Sequence, residues 1–120
     1  HMATVAAAVG GGAWRAPHVV AGVPATAPRP LDATVAAALQ QMMGLVVADG
    51  TGTAAALPGD PVYGKTGTAE FGTATPPQTH AWFIGYRDGL AFAVLVEDGG
   101  FGGEVAAPIA ARFLEAAGGA

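Results

Sequence analysis

The amino-acid sequence predicts an α+β fold: an antiparallel β-sheet, three strands of it visible, flanked by helices. Three observations carry that prediction. Two apolar runs, 81–86 and 90–96, are separated by Asp88-Gly89, a pair that favours a tight hairpin because both central residues of that turn take φ > 0. Val35, Leu39, Met42 and Val46 recur at i, i+4, i+7 and i+11, an amphipathic stripe behind Asp32. Near the C-terminus, Val105, Ile109 and Phe113 repeat every four residues and mark a second helix over 104–117.

The remaining elements follow in chain order. Residues 3–9 read as a helical stub with Val5 and Val9 on one face, ended by Gly10-Gly11-Gly12. So short a helix is marginal alone, which suits the tail of a helix that began upstream. Residues 14–23 read as extended, and 24–30, with three prolines in seven residues, as a loop. Asp32 is the N-cap of the long helix, which stops before Asp49-Gly50. Gly44 inside that helix costs about 1 kcal/mol relative to Ala. Residues 51–61 are a turn-rich connector, 62–70 a strand and 71–78 a loop with Pro76-Pro77, which either gates a cleft or merely connects strands. The hairpin strands are apolar on both faces, so they belong in the centre of a sheet with helices on each side. Residues 97–103 form a glycine-rich turn. In the last helix Glu104 suits the positive N-terminal end, Pro108 falls near the first turn, and Gly118-Gly119 closes the element.

Composition bounds the function. The chain has 120 residues, at most one domain, and a net charge of −4. Five Lys and Arg against nine Asp and Glu make no basic patch, so nucleic acid is not an expected partner. No apolar run reaches the ~18 residues of a membrane span. The hydrophobic fraction is 52%, but alanine supplies 29 residues, leaving a thin core of larger side chains. There is no cysteine, hence no disulfide and no thiolate metal site. His18 and His80 lack a third ligand at metal-like spacing, and no metal or cofactor is expected. Serine and asparagine are absent, and Lys65 is the only lysine. Serine acyl chemistry would therefore draw its nucleophile from outside these residues. His1-Met2 (residues 1–2) read as an expression-vector remnant, which would leave the natural N-terminus out of view.

Two motifs overlap at Lys65. Gly59-Asp60-Pro61-Val62-Tyr63-Gly64-Lys65-Thr66 fits the phosphate-loop pattern G-x-x-x-x-G-K-[ST]. That chemistry needs a buried strand before the loop and a helix opening after the lysine. Residues 54–58 make a poor strand and 67–72 a poor helix, so nucleotide binding is not expected. The second motif is Lys65-Thr66-Gly67-Thr68-Ala69-Glu70 on a strand. Tyr63-Gly64 precedes it. His80 to Tyr86, Gly99-Gly100-Phe101-Gly102-Gly103 and Val105 to Ala110 follow, and Gly50-Thr51 and 2–9 stand upstream. In that order the sequence resembles the C-terminal part of the transpeptidase domain of penicillin-binding proteins, whose third motif is Lys-Thr-Gly. The resemblance spans nearly the whole chain, residues 3–120. The family's Ser-x-x-Lys and Ser-x-Asn motifs cannot occur in a chain without serine.

Strand geometry puts Lys65, Gly67 and Ala69 on one face and Thr66 and Thr68 on the other. Gly67 has no Cβ, so another backbone can approach closely. The resemblance implies the roles. The strand borders a cleft in which an extended peptide pairs with its backbone. Lys65 and Thr68 are the catalytic residues: Lys65 supplies positive charge and a hydrogen bond to the Ser-x-Asn serine, and the Thr68 N–H forms half of an oxyanion hole. Thr66, Gly67 and Thr68 bind substrate, the threonine hydroxyls holding the terminal carboxylate of a D-Ala-D-Ala stem peptide or of a β-lactam. The blander readings are a solvated Lys65 and threonines chosen as strand formers. His80 is either a substrate-side residue or an exposed loop histidine, and Trp82, Phe83 and Tyr86 read as core.

The resemblance implies a peptidoglycan D,D-transpeptidase acting on the extracytoplasmic face of the membrane or in the cell wall. A serine β-lactamase fragment and a non-catalytic structural or binding module on the same half-fold are the alternatives. With the missing N-terminal part of the domain as its natural partner, the chain alone should expose apolar surface and a free strand edge. It is then expected to dimerise, swap elements or aggregate.

Overall fold

The computed structural model describes residues 1–118; Gly119, half of the expected terminal glycine pair, lies outside them. Helix α1 spans Met2–Gly11 and ends where Gly12 turns left-handed at φ 66°. Strands β1 (Ala13–Trp14) and β2 (Arg29–Pro30) form a two-stranded ladder, with the Arg29 guanidinium 5.4 Å from the Trp14 ring centroid. Of the extended stretch expected over 14–23, only Trp14 is strand. The reason is the lack of anything to pair with or bury against: Val19, Val20 and Val23 are all exposed, and Pro17 and Pro24 have no N–H to give.

Helix α2 spans Ala33–Asp49, and Asp32 caps it, its Oδ1 accepting from Thr34 N at 2.9 Å and Val35 N at 3.1 Å. The inward face differs from the expected stripe. Ala36, Met43 and Val47 are buried, Leu39 and Val46 are half-buried, and Val35 and Met42 are 53% and 54% exposed. Small residues decide which face approaches. A Cβ on Gly44 would stand 3.3 Å from the Tyr63 ring, so this face closes on the sheet where a bulkier stripe cannot. A 3₁₀ turn, Thr53–Ala55, follows, with Ala55 fully buried.

Strands β3 (Tyr63–Phe71), β4 (Gln78–Arg87) and β5 (Leu90–Val96) form an antiparallel sheet in the order β3-β4-β5. The expected 71–78 loop shrinks to 72–77, because Phe71 and Gln78 still pair. The hairpin turn has the expected backbone, with Asp88 at φ 49° and Gly89 at φ 77°. Of the hairpin, only β4 is central; β5 is an edge strand, and β3 the other.

The two faces are covered differently. Ala81, Phe83, Phe92, Val94 and Val96 face helix α3 (Ala106–Gly118), the 3₁₀ turn and Val47. Phe83 is the largest fully buried side chain, and burying a residue of its kind contributes about 1.5–3 kcal/mol. On the opposite face α1 lies against Tyr86 and Ala91. Helix α3 begins two residues later than the periodicity suggests. Its buried face is Ala106, Ala107, Ala110 and Leu114, whereas Phe113 is 42% exposed and Val105 and Ile109 are half-buried. The alanines let the helix sit close to Ala81 and Phe83, and Phe113 reaches the sheet only through a tilted contact with Phe92 at 5.4 Å.

Candidate functional site

The site residues lie on β3, and their placement starts with what fixes that strand. Tyr63 stacks on its register partner Tyr86, ring centroids 5.0 Å apart, and buried Gly64 leaves room for the Phe83 ring, which a side chain there would strike. From that anchor the strand alternates. Lys65, Gly67 and Ala69 pair with Ile84, Trp82 and His80, and Thr66 and Thr68 with Phe83 and Ala81. Because β3 is an edge, the backbone groups it does not give to β4 face an open side.

Lys65 is exposed, and its Nζ donates to the Thr66 carbonyl at 2.8 Å and approaches Thr66 Oγ1 at 3.4 Å. The one salt bridge among the described residues joins Arg87 to Asp88, so the Lys65 ammonium has no carboxylate partner there. Thr66 Oγ1 is also 2.6 Å from Thr51 Oγ1, which comes from the turn after α2. Thr68 Oγ1 accepts from Gly102 N at 3.4 Å. Beside these residues lies a recess of about 240 Å³ lined by Met2, Lys65, Thr66, Gly67, Trp82 and Ile84. The strand thus presents an unpaired cation and two hydroxyls within four consecutive residues, an arrangement suited to an anionic group.

The turn between β5 and α3 backs this strand. Gly102 packs on the carbonyl oxygens of Gly67 and Trp82, and Gly103 on that of Thr51, each so closely that a Cβ has no room. The Gly102 carbonyl then accepts from Ala106 N at 3.0 Å and Ala107 N at 2.9 Å, closing the start of α3. Thr51 and Gly102 carry no role in the sequence reading. Their signals were present, as a threonine between two glycines and a run of four glycines within 99–103, but neither shows which strand it meets.

Other readings of the sequence resolve here. Lys65 and Thr66 lie inside a strand rather than at a helix N-terminus, so the phosphate-loop pattern lacks the geometry that holds phosphate. His80 is not a loop residue. It sits in β4 opposite Ala69, on the Lys65 face, stacked on Phe71 at 4.0 Å, and its Nδ1 accepts from Asp98 N at 3.1 Å. Phe83 is core, whereas Trp82 and Tyr86 are half-buried on the other face.

This fold and strand define a class. The chain belongs to the penicillin-binding protein transpeptidase domain family, whose model matches residues 1–115. Among curated proteins it is similar to the peptidoglycan D,D-transpeptidase PbpA of Mycobacterium tuberculosis, 46% identical over 74 residues, 52% of this chain and 15% of that protein. It is 41% identical to PbpA of Mycolicibacterium smegmatis over 101 residues, 74% of this chain and 20% of that one. The ceftriaxone acyl-enzyme structure of M. tuberculosis penicillin-binding protein A matches at TM-score 0.75 and 34% identity, over 96% of this chain and 31% of its own. The D,D-transpeptidase domain of an Eggerthella lenta peptidoglycan glycosyltransferase matches at TM-score 0.78 and 29% identity, over 96% and 30%. The chain spans a fifth or less of the curated relatives' length.

Proposed function

We propose that these residues are the C-terminal portion of a transpeptidase domain, and that β3 forms one wall of a serine acyl-transfer site whose nucleophile lies outside them. The observation that carries this is the edge of β3: an unpaired Lys65 ammonium beside two hydroxyls whose oxygens already face donors, Gly102 N at Thr68 and Lys65 Nζ at Thr66. Oxygens that face donors leave their own O–H groups free to give, and a carboxylate accepts only. The substrate is a stem peptide ending in D-Ala-D-Ala, with its terminal carboxylate on Thr66 and Thr68.

The chemistry follows by class. A serine oxygen from the rest of the domain bonds to the carbonyl carbon of the penultimate D-Ala. The amide C–N bond breaks, and the serine's proton leaves with the terminal D-Ala amine. An amine of a second stem peptide then bonds to the same carbon, the ester C–O bond breaks, and the serine regains a proton. A β-lactam acylates the same serine, its ring C–N bond opening, and stalls there. Through both steps Lys65 offsets the charge that gathers in the cleft. The Thr66 carbonyl, which accepts from Lys65 Nζ, faces the open edge. One residue's N–H and C=O point to the same side of a strand, and residues two apart share a side, so the Thr68 N–H faces that edge as well. It serves as one donor of the oxyanion hole, a contribution of about 3–4 kcal/mol. Gly67 lets the substrate backbone lie against β3.

A peptidoglycan substrate places the whole protein's action outside the cytoplasmic membrane; no helix among the described residues is long and apolar enough to cross one. The β-lactamase reading has no support in the relatives, which are D,D-transpeptidases by name. The test is intact-mass spectrometry after incubation with benzylpenicillin. The 120-residue chain acquires no adduct, since it holds no serine, and the full-length protein acquires one. An adduct on the short chain, or none on the long one, contradicts the proposal.

A further inference from the structure

We propose that Thr51 is a positioning residue that turns the Thr66 hydroxyl into a carboxylate donor, and so sets the site's preference for a free carboxylate; this rests on the reading of β3 just given. The two hydroxyl oxygens are 2.6 Å apart although the residues are 15 apart in the chain. A hydroxyl has one proton to give. If Thr66 spends it on Thr51, nothing remains for an anion. If Thr51 donates instead, Thr66 accepts from it, and its own O–H is directed outward and polarised by the incoming bond. In that second direction the Lys65 ammonium, 3.4 Å from the same oxygen, faces its other lone pair, so Thr66 accepts twice and its one proton is left to give.

Thr51 is itself held in place. The N–H groups of its neighbours Gly50 and Gly52 both donate to the Val46 carbonyl, at 3.2 and 2.9 Å, which ties the turn to the end of α2. From the other side Gly103 packs on the Thr51 carbonyl. The hydroxyl at 51 is thus carried by backbone fixed at two points and meets the one threonine of the strand that faces the Lys65 head group. Thr53, two residues on in the same turn, has no such contact.

The experiment compares acylation of the full-length protein by benzylpenicillin and by its methyl ester, which keeps the ring and loses the anion. Thr51→Val removes the donor at nearly constant shape, and Thr51→Ser keeps it. The expected result is that Thr51→Val lowers the acid-to-ester ratio of acylation rates about tenfold, the scale of one hydrogen bond to a charged group, while Thr51→Ser keeps the wild-type ratio. A merely structural role slows acid and ester alike and leaves the ratio unmoved, and that result overturns the proposal, as does a wild-type rate in Thr51→Val. A wild-type protein that neither compound acylates overturns the transpeptidase reading itself, and this role with it.

Discussion

Gly102 lies directly on the Gly67 peptide: its missing side chain is the space that the carbonyl oxygens of Gly67 and Trp82 occupy. The turn that starts α3 and the strand that carries Lys65 therefore pack backbone to backbone. Gly102→Ala must push the turn away or bend β3, and neither neighbour is a flexible side chain able to yield. We expect a loss of about 1–3 kcal/mol, the usual cost of overpacking a tight contact, read as a lower melting temperature of the 120-residue chain. Gly11→Ala, where an added Cβ meets nothing, is the control and should leave the melting temperature within the range of a surface change.

Tyr86 gives the fold an alkaline limit. Its hydroxyl is buried without a partner, and burial, with Tyr63 adding to it, raises its pKa above the ordinary tyrosine value. The neutral phenol is the form the fold accepts. Stability from this group is complete below pH ~10, where the unfolded tyrosine ionises, and is lost as pH climbs through the raised folded value. Tyr86→Phe should keep the stacking on Tyr63, remove an unsatisfied hydroxyl and gain about 1 kcal/mol at neutral pH. It should also soften the loss above pH 10. Urea titrations at pH 7 and 10.5 measure both effects, and a destabilised Tyr86→Phe would mean that the hydroxyl has a partner.

The free edge of β3 and the exposed apolar side chains of Val35, Met42 and Leu45 on α2 predict self-association of the isolated chain. Sedimentation equilibrium at micromolar concentration should show a concentration-dependent mass. A monomer that binds no apolar dye would show instead that these 120 residues form a self-sufficient domain.

The sequence made the sheet and the motif strand legible, because their signals are local. Asp88-Gly89 needs positive φ wherever it occurs, and β-branched Thr66 and Thr68 favour an extended chain. What it hid depends on partners far along the chain. The helix stripes pointed to Met42 and Phe113, but the buried faces are Ala36, Met43 and Val47 in α2 and Ala106, Ala107, Ala110 and Leu114 in α3, where the alanines let the helix approach closely and the larger side chains fill the space beside them. His80 looked like a loop residue until Phe71 and Gln78 proved to pair and extended β4 past it. Thr51 was invisible as a site residue for the same reason: its contact joins residues 15 apart in the chain, and no spacing rule connects it to Thr66.

Acylation of the full-length Lys65→Ala variant by benzylpenicillin tests the role of this strand most directly. Lys65 is exposed, and its hydrogen bonds go to the adjacent residue alone, so its removal should leave the melting temperature unchanged. The second-order acylation rate constant should fall about a hundredfold or more, the scale of losing one preorganised electrostatic contact in an acyl-transfer site. A wild-type rate in a folded Lys65→Ala protein would contradict the assignment of β3 as a wall of that site.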